Sequence, residues 1–390
     1  MLKDNPENYS GARTLENGER VLGFIVNPIA GLGGPAGFKG TDRPDIVEKA
    51  LEMGIKPKAP VRGALALSEL SKLGVRIKVL VPPGEMGYNV ARQALPSSDL
   101  ELLEMDLPKR TSAIHTKMAA EKMVRKGIDL LMFVGGDGTA KDIMNAVGTE
   151  VPALGVPAGV KIFSAVFGVT PSHSGEVARK FLSDGLPLKL AEVVDVDEEA
   201  YRSNRLVIRL YGYLKVPYEP SLIQSSKQPS LMTEEEELTR KAIARYVVEE
   251  MKPGTIYILG PGLTVSEVGK QLGFEKTLLG VDVVLDRKLI AKDVNEIQLN
   301  ELISKHKDTI KVILSPLGGS GLLLGRGNQQ IGDSVLFRIE KQDLIILATP
   351  SKLHGLKSLR LDLEGELARK FSGYHRVITG YREEEIVLIE

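Results

Sequence analysis

Five apolar residues, Leu130 to Val134, run without a break into Gly135, Gly136, Asp137, Gly138 and Thr139, after which Ala140, Ile143, Met144 and Val147 recur three, four and seven residues apart. A run of that length suits a strand buried on both faces, and the recurrence that follows marks one face of a helix. The chain therefore passes from strand to helix on glycines. Few architectures other than α/β use that junction.

The same alternation begins near residue 21. "VLGFIV", "RIKVLV", "LLMFV" and "PALGV" read as strands of a parallel sheet, and "ALALSELSKLG" and "SAIHTKMAAEKMVRKG" read as covering helices, each closed by a glycine. Around "KLAEVVDVDEEAYRSNRLVIRLYGYLKVPYEP" the rhythm changes to period two, which predicts an antiparallel β region. The chain is then expected to divide into a nucleotide-binding α/β domain over 1–184 and a β-rich domain over 185–390. "SLIQSSKQPSLM" reads as a loop, and Thr233 as the N-cap of a helix with Glu236 at the capping-box position. The acidic run Glu234 to Glu237 suits the first turn of that helix, where carboxylates oppose the dipole. "TIYILGPGLTVSEVGKQLG", "TLLGVDVVL" and "IKVILSPLGGSGLLLGRGNQQIG" return to strand, glycine turn and helix, so an inserted α/β segment is expected at about 240–330.

A chain of 390 residues is long enough for two cores. Its 51 basic residues balance its 51 acidic ones. Bulk charge therefore offers no attraction to nucleic acid or an anionic membrane, and any anionic ligand must be held locally. No apolar run approaches a membrane span of roughly 18 residues. The first twenty residues lack the apolar stretch of a signal peptide, and the absence of cysteine removes disulfides and thiolate chemistry. A cytoplasmic protein is expected. The histidines His115, His173, His306, His354 and His375 are scattered without ligand spacing.

Glycines after a buried strand let backbone N–H groups approach a ligand, and the positive end of the next helix favours an anion. Gly135, Gly136 and Gly138 fit either a tight turn or such a site. Asp137 separates the two readings, because a carboxylate repels phosphate unless it meets Mg²⁺ or takes a proton from an attacking hydroxyl. Thr139 suits a phosphate oxygen or a helix cap. A second glycine turn, "VNPIAGLGGPAGFKGTD", follows the first strand and contains Asn27, Gly31, Gly33 and Gly34. Six glycines between Gly23 and Gly40 are an expensive connector, and both turns belong at the carboxyl edge of one sheet, where ligands of open sheets bind. Lys161, after the "GVPAG" turn at Gly159, faces a phosphate or solvent. Arg326 and Asn328 in "GRGNQQ" offer guanidinium and amide groups to a nucleotide, or form a polar surface turn.

"GGDGT" after a strand, with an early "NPxAG" turn, resembles the superfamily that joins NAD kinases with diacylglycerol and sphingosine kinases. "NPIAGLGGPAGFKGTD", "GVPAGVKIFSAVF", "GPGLTV", "LLGVDVV" and "GGSGLLLGRGNQQI" are similar to its branch of predicted ATP- or polyphosphate-dependent NAD kinases, related to the acetoin-catabolism protein X. The resemblance runs from about residue 20 to the end. It implies a Rossmann-like parallel-sheet domain followed by a β-rich domain, with the active site between them. It also implies Mg²⁺-dependent transfer of a terminal phosphoryl group from ATP or polyphosphate to the adenosine ribose 2′-hydroxyl of NAD, giving NADP. Asp137 becomes the catalytic carboxylate and Gly135, Gly136, Gly138 and Thr139 the phosphate loop. A homo-oligomer is expected, since members of this superfamily commonly assemble. Lys141 and Asp142 stand where related kinases carry an Asn-Glu pair, "GVKI" replaces "GTxN", and no "TPTGST" turn is present. Gly318, Gly319 and Gly321 in "SPLGGSG" are the candidates for that last part. The departures leave two alternatives: transfer to another small hydroxylated metabolite or a lipid headgroup, and a non-catalytic nucleotide sensor. A Rossmann oxidoreductase is disfavoured, because "GGDGT" lacks the G-x-G-x-x-G spacing.

Overall fold

The computed structural model of the chain describes residues 20–34, 36–37, 44–72, 77–95, 99–159, 162–196, 208–224, 233–306, 309–317 and 321–390. The described residues form two compact units. The first holds residues up to 32 with 44–196 and 208–224, and the second holds 33, 34, 36 and 37 with 233–390.

The first unit contains β1 (Arg20–Val26), α1 (Pro44–Glu52), α2 (Ala59–Leu70), β2 (Ile77–Val81), α3 (Tyr88–Ala94), β3 (Asp99–Leu102), α4 (Ala113–Arg125), β4 (Leu130–Gly135), α5 (Asp137–Val147), β5 (Ala153–Pro157), α6 (Pro171–Asp184), β6 (Leu188–Val196) and β7 (Ile208–Pro217). Strands β1 to β5 form one sheet in the order β3-β2-β1-β4-β5, parallel throughout. Adjacent residues of a strand point to opposite faces. A Cβ on Gly23 would sit 2.9–3.0 Å from Ile128 and from Met123 of α4, whereas Phe24 meets Gly63 of α2. Helices α4 and α2 therefore cover opposite faces. Packing of α5 on α4 and of α6 on α2 completes the two layers. Leu130 to Val134 of β4 are fully buried, each side chain contributing roughly 1.5–3 kcal/mol to the core.

The period-two region forms the antiparallel pair β6–β7, as expected. It does not open a second domain at residue 185. Ala191, Val193, Leu214 and Val216 join the core of the first unit, so that unit continues to residue 224. Part of the loop expected at "SLIQSSKQPSLM", residues 225–232, lies outside the described residues.

The second unit contains α7 (Glu234–Glu249), β8 (Thr255–Leu259), α8 (Leu263–Gln271), β9 (Asp282–Leu285), β10 (Lys288–Ala291), α9 (Glu296–Lys305), β11 (Thr309–Leu314), β12 (Leu322–Leu324), α10 (Asp333–Arg338), β13 (Leu344–Leu347), α11 (Pro350–Leu353), β14 (Arg360–Leu361), α12 (Gly365–Phe371), β15 (Gly373–Gly380) and β16 (Glu383–Ile389). Its seven-stranded sheet runs β10-β9-β8-β11-β13-β15-β16, with β8, β11, β13 and β15 parallel and the edges antiparallel. Chain topology is mixed α/β with a parallel sheet first and a β-rich mixed sheet second. The segment expected as an insertion, 240–330, supplies β8 to β11 and pairs through β13 with the last strands as one continuous sheet. Tyr257 and Leu259 of β8 pack on one face with Ile243 and Val247 of α7 and Val265 of α8, while Ile256 and Ile258 pack on the other with Leu299 of α9 and Val335 of α10. Thr233 caps α7 by accepting from the Glu236 N–H at 3.2 Å, as expected. Glu236 does not complete a capping box; its carboxylate turns to Thr349 instead. Among the described residues no helix is long and apolar enough to cross a membrane.

Candidate functional site

Strands β1 and β4 are neighbours, but the chain leaves β1 toward α2 on one face and β4 toward α5 on the other. Divergence of two adjacent connections opens a crevice at the carboxyl edge, the usual ligand position in an open sheet. The start of the first glycine turn, with Asn27 and Gly31, and the whole of the second lie there. Asn27 Nδ2 donates to Thr139 Oγ1 at 3.0 Å, tying the end of β1 to the first turn of α5. Because Thr139 Oγ1 accepts that bond, its own proton remains available to an oxyanion.

Gly135 is needed for a steric reason: a Cβ there would lie 2.3 Å from Thr139 Oγ1. Its carbonyl accepts from the N–H groups of Ala158 at 2.8 Å and Gly159 at 3.2 Å, which draws the end of β5 to the same turn. Gly31 has φ +87° and a built Cβ would lie 2.7 Å from the Ala158 carbonyl, so glycine is required on both counts. Gly136 is the N-cap of α5 and no side chain caps that end. The helix dipole and the first N–H groups thus face the crevice uncompensated by a side-chain cap.

Asp137 opens α5 and is only 6% exposed. Its Oδ2 accepts from Phe163 N at 2.8 Å and its Oδ1 from Ser164 N at 3.0 Å. Burial pushes this carboxyl up from 3.8 to about 6; the bonds from Ser164 and Phe163 pull it down, and nearby Asp195 adds to the rise. Desolvation wins because two backbone donors replace only part of the water that an ionised carboxylate loses. The outcome is a carboxyl that changes charge near pH 6 beside an anion-favouring helix end. Ser164 is itself held: its Oγ donates to the Val194 carbonyl at 2.9 Å and accepts from Val194 N at 3.0 Å. These supports were not anticipated, although Ser164 is the only polar residue of "IFSAVF".

The first unit brings Asn27, Gly31, Gly135, Gly136, Asp137, Gly138, Thr139 and Gly159 to the ends of β1, β4 and β5. Gly33, Gly34, Gly321, Arg326 and Asn328 belong to the second unit. There Gly34 packs so closely on Gln329 of "GRGNQQ" that a Cβ would overlap its amide, a contact within that unit. Asn328 is committed to the backbone of that turn: Oδ1 accepts from Gly325 N at 3.0 Å and Nδ2 donates to the Leu323 carbonyl at 2.8 Å. Lys161, Gly318 and Gly319 lie outside the described residues. Lys141 and Asp142, at the positions of the missing Asn-Glu pair, make intramolecular contacts. The Lys141 ammonium sits 3.7 Å from the Tyr211 ring centroid, and Asp142 Oδ1 is 3.2 Å from Lys117 Nζ. Among the described residues no three His, Asp or Glu side chains converge as a metal cage.

Residues 22–186 match the ATP-NAD kinase N-terminal domain, and residues 253–389 match the ATP-NAD kinase C-terminal domain. No curated protein matches the chain. Two solved structures are similar: a putative diacylglycerol kinase from Bacillus anthracis str. Sterne, with 17% identity and a TM-score of 0.22 over 46% of each chain, and a diacylglycerol kinase from the same source, with 18% identity and a TM-score of 0.22 over 47% of this chain and 48% of that one. The chain thus spans just under half the length of these solved relatives.

Proposed function

The chain belongs to the ATP-NAD kinase family, and from that premise we propose that it phosphorylates the adenosine ribose 2′-hydroxyl of NAD at the expense of ATP or polyphosphate. It is a kinase-type phosphotransferase. One observation carries the finer reading: the buried Asp137 carboxylate, held by Phe163 N and Ser164 N at the glycine turn that opens α5. In the proposed reaction the hydroxyl oxygen attacks the terminal phosphorus. Its proton passes to Asp137, and the bridging P–O bond breaks to release ADP or a polyphosphate shortened by one unit. Asn27, Gly135, Gly136, Gly138 and Thr139 would receive the donor phosphates, with Gly31 and Gly159 shaping the floor. Most of the catalysis would then come from positioning and electrostatics, as in other phosphoryl transfers.

Both Asp137 oxygens already accept N–H groups, and no carboxylate cluster stands beside them among the described residues. Mg²⁺ therefore fits as an ion carried on the donor phosphates, which suits its reluctance to shed water. A cysteine-free chain suits a reducing cytoplasm.

A second reading is supported by the contacts of Lys141 and Asp142, which engage Tyr211 and Lys117 and so offer no amide-carboxylate pair to a dinucleotide. It retains the transfer and replaces NAD with another small hydroxylated metabolite or a lipid headgroup. The deciding experiment incubates the purified protein with Mg²⁺, NAD and either ATP or polyphosphate, then measures NADP with an NADP-specific dehydrogenase. NADP made by the wild type and lost in Asp137→Asn supports the first reading. ATP consumption without NADP in a metabolite screen supports the second, and tight NAD binding with no turnover of any donor leaves a sensor.

A further inference from the structure

The second unit contains a polar cluster that the proposed reaction does not use. Ser315 follows the last residue of β11 and Thr349 stands two residues beyond the end of β13, so both lie at the carboxyl edge of parallel strands. The chain leaves β8 toward α8 on one face and β11 toward α10 on the other, the divergence that opens a crevice in an open sheet. Ser315 and Thr349 are buried, and Lys352 Nζ donates to Ser315 Oγ at 3.0 Å. Thr349 Oγ1 donates to Glu236 Oε1 at 3.0 Å.

Arg240 reaches the same cluster from α7. It is 5% exposed, its nearest approach to Glu236 is 3.9 Å from NH1 to Oε1, and its Nε has no hydrogen-bond partner. A separation of 3.9 Å is an ion pair but not a hydrogen bond. Among the described residues Glu236 favours the charged form of Lys352 and Arg240 opposes it. Arg240 therefore answers to Glu236 and to the exposed Glu237 without a hydrogen bond to either, and its buried Nε donor is left unmade, a situation that a native interior rarely tolerates. We infer that Arg240, Lys352 and Ser315 bind a phosphate-class oxyanion, free or at the end of a phosphorylated ligand, with Thr349 holding Glu236 to one side. Guanidinium, ammonium and the Ser315 hydroxyl, which accepts from Lys352 and keeps its own proton to donate, are a donor set that such an anion takes, with Arg supplying the directional fork. Burial also lowers the Lys352 amine to about 8, and a bound anion would relieve that loss of charge. The inference stands apart from the NAD kinase reading, since it concerns binding by residues of the second unit alone.

The test follows acetylation of Lys352 in the full-length protein by mass spectrometry, with inorganic phosphate titrated against chloride at equal ionic strength. At a phosphate concentration about nine times the dissociation constant, Lys352 labelling is expected to slow about ten-fold, because one tenth of the sites remain empty. Protection is expected to disappear in Arg240→Gln and to survive in Asp137→Asn. Should Arg240→Gln fail to fold, Ser315→Ala, which removes the hydroxyl beside Lys352 with little change in volume, is expected to raise the phosphate concentration needed for half protection about ten-fold. Protection by phosphate alone identifies a free oxyanion, whereas protection only by ATP identifies a nucleotide-borne phosphate; both support the site. Labelling that neither ligand changes, protection that persists in Arg240→Gln and Ser315→Ala alike, or protection lost in Asp137→Asn overturns it.

Discussion

Asp137→Asn should change how stability depends on pH, and the size of the change follows from the burial of the carboxylate. The carboxyl titrates near 6 in the folded chain against 3.8 when exposed, so its ionised form costs the folded state about 3 kcal/mol at neutral pH. The folded state binds this proton more tightly than the unfolded state. Its stabilising effect is complete below 3.8 and is lost as pH rises through about 6. Asparagine has nearly the same shape but no titration. It retains one carbonyl oxygen for Phe163 N or Ser164 N and turns its NH₂ toward the other donor, at a cost of about 1–3 kcal/mol that does not depend on pH. At pH 7.5 the two effects nearly offset each other, so the absolute difference says little. The slope says more. Between pH 7.5 and 4.5 the wild type should gain about 2 kcal/mol over the variant, because every other titrating group cancels in the comparison. Urea unfolding of both proteins at a series of pH values measures it. A flat difference, or a wild type that loses ground on acidification, would mean that the two backbone donors outweigh burial and would refute the argument.

Three further outcomes follow from the same geometry. If Asp137 accepts the proton, kcat/KM should fall about ten-fold per unit of pH below about 6, and a profile level from pH 7 to 5 would exclude it as the base. Gly135→Ala should cost about 1–3 kcal/mol in urea unfolding and abolish turnover, because the new Cβ meets Thr139 Oγ1 at 2.3 Å and must displace the residue that Asn27 holds. Lys141→Ala should cost about 0.5–1 kcal/mol through the lost contact with Tyr211 and leave the KM for NAD unchanged; a large rise in KM would give Lys141 a role in binding.

Strands buried on both faces were readable from sequence because burial leaves a continuous apolar run: β1, β4, β5, β8 and β11 were all found this way. Strand β15 was not. Its residues alternate between buried His375 and Val377 and exposed Tyr374 and Arg376, and a histidine held on the Phe371 carbonyl does not look like core in a hydropathy pattern. The alternation of β6 and β7 signals antiparallel pairing, while nothing in it signals that the pair's buried face joins the first unit's core. Periodicity reports that a strand has a buried face, but not which core the face joins. Asp137 stood out because a charge among glycines after a buried strand has few uses. Phe163 and Ser164 did not, since they act through backbone N–H groups that every non-proline residue carries.

That asymmetry bears on the choice between an enzyme and a sensor. A turn that only redirected the chain, or a loop that only gripped phosphate, would be more stable without a carboxylate that resists ionisation by about 3 kcal/mol at neutral pH. Asparagine or serine at position 137 would still favour the N-terminus of α5 without placing a negative charge beside an anion. The surrounding structure nevertheless invests in this group: Ser164 is anchored to Val194 at both ends of its hydroxyl hydrogen bonding, and its N–H is thereby aimed at Oδ1. A charge that is costly to hold, held in one orientation, and ready to take a proton near neutrality has a use in chemistry that it lacks in binding. The kinase reading therefore rests on the energetic cost of Asp137 as much as on its place in the turn.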